Sequence, residues 1–367
     1  MSDKAISNAA PPHYSSANQR FYNVRPSVYL HMGWRERLSV LRRLLFTARS
    51  RMPEQPLPEV MPNWRAFLKP DNKTRFIWFG HSSLLLNMAG CTLLIDPVFS
   101  ASAAPFPFRI KRFQPPVVPM EALPAIDLIV LSHNHYDHLD RETIGFFRDK
   151  KTLFVTPLGM GETLRKWGIA SERITERDWY EDYTWKTLRL TATPARHASG
   201  RTPFDHNKSL WCSWVLQSAQ ETVYYSGDSA YDDHFAAIRE RFGPIDLAFV
   251  ENGQYNRRWP DSHMTPEQTI QAVLDLAPRT FVPIHWGMFT LSLHHWTEPV
   301  QRSHALALQK GIRILSPRLG EVVDSHSVSP LPLWWMPFAQ MKSVSAKSAV
   351  PIPHSSSDAT CSENDRS

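Results

Sequence analysis

Ser132-His133-Asn134-His135-Tyr136-Asp137-His138-Leu139-Asp140 places three histidines and two aspartates within nine residues, directly after the run Ile126-Asp-Leu-Ile-Val-Leu131. A continuous apolar run of that length reads as a strand buried on both faces. In an extended segment residues two apart point the same way, so His133 and His135 can hold one metal ion together. Asp137 and His138 then turn toward a second, and Asp140 is placed to cap the helix that follows. Histidines on an ordinary surface loop need neither this alternation nor so apolar a strand behind them.

A two-metal site requires more donors than this stretch holds, and other predicted strand ends offer them. His197 in TPARHASG follows the strand pattern 187–193. Asp228 in YYSGDSAY follows the pattern 222–226 and a glycine that lets the backbone approach closely. His285 in FVPIHWG follows 279–284. Each alone is compatible with an ordinary core or loop residue; beside the first motif they complete a donor set.

Outward from these points the patterning is that of an α/β protein. Strands are predicted at 75–79, 83–88, 91–96, 126–132, 152–156, 187–193, 209–217, 222–226, 245–250 and 279–284, and helices at 141–149, 160–167, 231–241, 266–276 and 298–309. Thr265, Pro266 and Gln268 give the helix at 266 a capping-box start. LPAIDLIVLSHNH (123–135) and FGPIDLAFVENGQ (242–254) echo one another, which predicts two related β/α halves packed face to face in one domain. That domain spans 60–325. Cys91 and Cys212 fall in strand patterns and read as core residues.

Charge and composition bound the function. Among 367 residues, 41 Lys and Arg oppose 35 Asp and Glu, a formal net charge of +6. Residues 20–51 alone hold eight arginines and one glutamate, net +7, so the rest of the chain stands at −1. A body so near neutrality argues against a nucleic-acid groove. Residues 34–51 predict a basic amphipathic helix with Trp34, Leu38, Leu41 and Leu45 on one face, suited either to an anionic membrane surface or to packing on its own domain. It precedes a linker to residue 59 and follows a flexible or loosely docked arm, 1–33. No apolar run reaches the ~18 residues of a membrane span, and the start lacks the apolar core of a secretory signal. Three widely spaced cysteines exclude a disulfide framework, and a reducing, cytoplasmic compartment is expected. The Ser/Pro-rich tail, 326–367, is expected to be disordered after about 340, with PLPLWWMPF (330–338) docked on the body.

HNHYDH (133–138) fits the HxHxDH signature of the metallo-β-lactamase fold, and His197, Gly227-Asp228 and His285 follow in that superfamily's order. Within it the chain resembles the branch of N-acyl-phosphatidylethanolamine-hydrolysing phospholipase D and its bacterial relatives. The resemblance lies in WFGHSSLLLNMAGCTLLIDPVFS (78–100), KRFQPP (111–116), residues 123–140, SLWCSW (209–214), SGDSAY (226–231), RFGPIDLA (241–248), RRW (257–259) and PIHWGMF (283–289). It implies a four-layer αββα sandwich holding two Zn²⁺ ions, although such donors also suit iron or manganese. His133, His135 and His197 would bind the first ion, Asp137, His138 and His285 the second, with Asp228 bridging. Asp137, Asp228 and His263 would serve the chemistry: hydrolysis of an N-acyl-phosphatidylethanolamine-like lipid by a metal-bridging hydroxide to phosphatidic acid and an N-acylethanolamine.

The resemblance also marks His81 as a structural neighbour of the metals and His263 as a contact to phosphate or an aid to the leaving group. Asp96, in the IDP turn, reads as a cap that orients the metal loop. Arg257, Arg258 and Trp259 either line the entrance or clamp an exposed loop. Residues of an acyl channel do not carry over. Two other readings use the same residues: a lactonase or other ester or thioester hydrolase, and a non-catalytic metal-binding regulator, against which the complete donor set counts.

Overall fold

The computed structural model describes residues 13–26, 33–46, 49–71, 73–104, 110–327 and 330–339. A short hairpin opens it, β1 (Tyr14–Ser15) with β2 (Arg20–Phe21). Helix α1 (Trp34–Phe46) and a single turn, α2 (Trp64–Phe67), lead to the first sheet. Apolar runs buried on both faces then form β3 (Arg75–Trp78), β4 (Leu84–Met88), β5 (Cys91–Ile95) and β6 (Leu128–Val130). After α3 (Arg141–Phe146) come β7 (Leu153–Pro157), α4 (Gly161–Lys166) and β8 (Ile174–Arg177).

Residues 178–181 carry the chain to the second sheet: β9 (Asp182–Trp185), β10 (Leu188–Thr193), β11 (Ser213–Gln217), β12 (Thr222–Tyr225), α5 (His234–Phe242), β13 (Leu247–Glu251), α6 (Pro266–Leu276) and β14 (Thr280–Ile284). After α7 (Glu298–Gln309), β15 (Val322–Asp324) returns to the first sheet. The sheet orders are β15-β3-β4-β5-β6-β7-β8 and β14-β13-β12-β11-β10-β9.

The sheets pack face to face, with Phe76 of β3 edge-on to Phe249 of β13 at 5.0 Å. Outside the second sheet, Phe235, Ile270, Val273 and Ala307 from α5, α6 and α7 cover Val215, Tyr224, Ala248 and Phe281. On the first sheet's side, Ile144 of α3 and Leu164 of α4 are buried, and Glu176 of β8 accepts from the N–H groups of Gly159 and Gly161 at the start of α4. This is the expected αββα order.

The echoed segments occupy equivalent places. Asp127, before β6, accepts from Thr92 N–H at 2.9 Å, and Asp246, before β13, accepts from Thr222 N–H at 2.8 Å. In both halves the aspartate's own N–H returns to that threonine's carbonyl, starting a parallel strand pair in the same register. The carboxyl ends of these strands converge on one edge, where ligand sites of parallel sheets form.

Several expectations change. Of the arm expected to be flexible or loosely docked, residues 13–26 are docked: Phe21 is buried, and Tyr22 N–H and Phe21 N–H bond the carbonyls of His13 and Asn207. The strand expected over 209–217 pairs only from Ser213, because Leu210 N–H and Cys212 N–H bond Leu158 and Ser132 on the other sheet's loops. The helix expected over 34–51 ends at Phe46, with Arg49–Arg51 a separate turn. β8, β9 and β15 were unforeseen; each is short and half-exposed, without an apolar run. Trp334 and Trp335, in the segment expected to dock on the body, are indeed buried, Trp334 stacked on Trp286 at 5.4 Å, and the tail after 339, expected to be disordered, lies outside the described residues.

Candidate metal centre

The loop after β6 folds back on itself, with the N–H groups of His138 and Leu139 bonding His135 carbonyl at 3.1 and 2.8 Å. Asp140 caps α3 through Glu142 N–H and also accepts from Ser100 N–H at 3.0 Å, so the loop is fixed at its far end. His133 Nε2 lies 2.9 Å from His135 Nδ1, which lies 3.2 Å from His197 Nε2. Asp228 Oδ2 is 3.7 Å from both His133 Nε2 and His197 Nε2. These four residues offer donor atoms all within 4.8 Å of one another.

Asp228 faces a second set with its other oxygen. Oδ1 stands 3.1 Å from His138 Nε2 and 3.1 Å from His285 Nδ1. Asp137 Oδ2 is 3.5 Å from His138 Nε2 and 2.8 Å from His81 Nε2. His81, Asp137, His138 and His285 again bring their donors within 4.8 Å. Each set is nitrogen and carboxylate oxygen, chemistry that suits Zn²⁺, iron or manganese.

Hydrogen bonding accounts for only part of this convergence. Among the described residues His138 Nε2, Asp228 Oδ1, His285 Nε2 and His81 Nδ1 are buried without a hydrogen-bond partner, a costly arrangement unless something binds them. The electrostatics prepare the rings for a cation. Burial first, and neighbouring imidazoles second, hold His133, His197 and His285 well below the usual histidine range. Burial lowers His135 to about 4. These rings are neutral at pH 7, as ligands must be. Burial disfavours charge on His138 too, but Asp228 and Asp137 outweigh it and raise His138 well above the usual value. Burial also pushes Asp228 up to about 6.

Partners behind the rings set their orientation. Asp96 accepts from His138 Nδ1 at 2.7 Å, Tyr225 hydroxyl at 2.6 Å and Ser132 N–H at 2.8 Å. His197 Nδ1 donates to Ser262 carbonyl at 2.9 Å. His81, Asp96 and His285 adopt φ of +52°, +40° and +66°. That costs about 1–3 kcal/mol each. A reciprocal bridge maintains two of them: His81 N–H bonds Trp286 carbonyl, and His285 N–H bonds His81 carbonyl.

A model of the β-lactamase superfamily domain matches residues 92–286. The chain belongs to the metallo-β-lactamase superfamily. An uncharacterised protein of Mycobacterium tuberculosis is 35% identical over 337 residues, 90% of this chain and 89% of that one. N-acyl-phosphatidylethanolamine-hydrolyzing phospholipase D 1 of Caenorhabditis elegans is 31% identical over 236 residues, 60% of this chain and 66% of the relative. A metallo hydrolase of the archaeon Ignicoccus hospitalis shares the fold, with a TM-score of 0.54 and 19% identity over 69% of this chain and 98% of that one. With its donor clusters, the chain is a metal-dependent hydrolase of this superfamily.

The structure thus gathers all seven residues expected at the metals into one metallo-β-lactamase edge, and adds His81 to the second set. Asp96 stands behind His138 as a cap to the loop. His263 stacks on His285 at 4.9 Å, its Nδ1 2.8 Å from the carboxylate of Glu251. Arg258 does not point at the donors: its Nε bonds Glu36 of α1 at 2.9 Å, and Trp259 donates to Gln254 carbonyl, so both clamp loops. Arg257 is exposed. Glu251, Ser132 and Tyr225 were missed. Glu251 alone had a signal, since it ends the strand that echoes the histidine-bearing one.

Proposed function

We propose that the chain is a dinuclear zinc-dependent phosphodiesterase of phospholipase D type, acting on N-acyl-phosphatidylethanolamine-like lipids. The observation that supports it most is Asp228, whose two oxygens face two adjoining donor sets. His133, His135 and His197 would hold one ion, and Asp137, His138 and His285 the other, with Asp228 between. Two bound ions supply Lewis-acid polarisation of a phosphoryl oxygen and an acidified water. The name of the nematode relative supports the lipid class.

The overall reaction adds water oxygen to phosphorus, breaks the alcohol-side P–O bond and leaves the departing oxygen in need of a proton. In this reading His263 would give it. Burial raises Glu251 well above the usual carboxylate range and lowers His263, so the pair holds its proton on Glu251 and its imidazole neutral. Glu251 donates to Nδ1 of His263, and as Nε2–H protonates the leaving oxygen the Glu251 proton passes to Nδ1, leaving a neutral imidazole and a Glu251 carboxylate. Asp228, Glu251, His263 and His285 bring their donor atoms within 4.8 Å, which sets this dyad against the shared carboxylate.

The test is turnover by the metal-loaded protein of N-acyl-phosphatidylethanolamine, bis-p-nitrophenyl phosphate and a lactone panel. Release of phosphatidic acid and N-acylethanolamine is expected; turnover of lactones alone would contradict the reading.

A further inference from the structure

His133 and His135 leave a buried central strand, but His197 has a weaker local support. Strand β10 ends at Thr193, and Pro194 has no N–H to continue a ladder. The backbone N–H and C=O of His197 find their partner 174 residues away in the chain. Asn23 Nδ2 donates to His197 carbonyl at 2.8 Å, and His197 N–H donates to Asn23 Oδ1 at 3.0 Å. One carboxamide, with one donor and one acceptor, thus reads the main chain of His197 as a neighbouring strand would. The same Oδ1 accepts from Trp211 Nε1 at 3.1 Å, which fixes the carboxamide itself.

The segment carrying Asn23 is anchored on both sides. Upstream, His13 stacks on Trp179 at 4.2 Å and bonds Asp178 at 2.7 Å. Downstream, Arg25 pairs with Asp232 at 3.0 Å. Arg196, next to His197, bonds Asp232 and Asp261 at 3.2 and 2.8 Å. Asp261 precedes Ser262, whose carbonyl holds the His197 ring.

We infer that Asn23 is a positioning residue for His197, so that residues 13–26 form part of the metal centre. This rests on the reading that His133, His135, His197 and Asp228 hold an ion. Groups behind a ligand change metal affinity by about 10- to 100-fold when removed. Cobalt(II) titration of the metal-free protein, followed by its visible ligand-field bands, measures each ion's affinity. In Asn23→Ala, about tenfold weakening of one ion with the other unchanged is expected. Asn23→Asp keeps the acceptor for His197 N–H and Trp211 but sets a carboxylate oxygen against His197 carbonyl where the N–H donor stood, so weakening of the same ion at least as large as in the alanine variant is expected, and this variant decides the matter if the alanine does not fold. Wild-type affinities in both variants, or equal weakening of both ions, would overturn the inference. Should the wild type bind one cobalt, the two-metal reading falls, and Asn23 is still judged by whether that ion weakens. Binding of none overturns both.

Discussion

His263 contributes only as much as the leaving group requires. An alkoxide leaves poorly without a proton, and positioned acid catalysis contributes about 10²–10⁴-fold; a nitrophenolate leaves unaided. His263→Ala is therefore expected to lose at least about 10²-fold in kcat on the lipid. On bis-p-nitrophenyl phosphate it should change little, with metal content intact. Equal losses on both substrates would remove the proton-donor role. The titrating groups make a second prediction. In the metal-free protein His138 lies well above its usual value and is protonated at pH 7, whereas His133, His197 and His285 are already neutral. Ion binding at His138 Nε2 must expel that proton, and Asp228, at about 6, adds another as pH falls below 6. Calorimetry in buffers of different ionisation enthalpy should find at least about one proton released at pH 7 and about two near pH 5.5, with affinity falling on acidification. Zero release at pH 7 would contradict the assignment of His138.

Elements place these residues by close backbone approach. Gly227, between β12 and Asp228, has φ +57°, and a Cβ there would lie 2.8 Å from Ser132 Cβ and 2.9 Å from Cys212 carbonyl. Gly227→Ala is expected to cost about 2 kcal/mol or more and to weaken metal binding, because Asp228 is pushed off His138. Gly90→Ala, with φ +72° and nothing within 4 Å, should cost about 1 kcal/mol and leave metal binding alone. Equal effects in thermal melts and metal titrations would refute the packing argument. The central strands were legible because apolar runs such as Leu84–Leu86 and Ile129–Leu131 have no other use. The edges were not: Ile174–Arg177 and Asp182–Trp185 pair without burying a face. Residues 209–212 looked like strand because they are apolar, and only the opposite sheet decides that they strap instead. The donor residues were legible where they follow strands in a dense motif. Asn23 was not, being one polar residue in a polar stretch whose partner is remote in sequence.

Over the whole molecule, the basic charge of residues 20–51 includes Arg25, paired with Asp232, and an exposed helix face. Helix α1 buries Val40 and leaves Trp34 and Leu38 71% and 56% exposed, beside the exposed Arg35 and Arg42. If the substrate is a lipid, that face suits an anionic surface. Trp34→Glu with Leu38→Glu is expected to cut sedimentation with phosphatidylserine vesicles by about tenfold or more, leaving turnover of bis-p-nitrophenyl phosphate unchanged; unaltered sedimentation would reject the contact. The account as a whole turns on two donor sets sharing one carboxylate. Its most direct test is anomalous diffraction at the zinc edge from crystals of the zinc-loaded protein. Two peaks per chain, about 3.5–4 Å apart on either side of Asp228, are predicted, reduced by Asp228→Asn in a protein that still folds. A single peak, no peak, or ions bound away from His133, His138, His197 and His285 would contradict it.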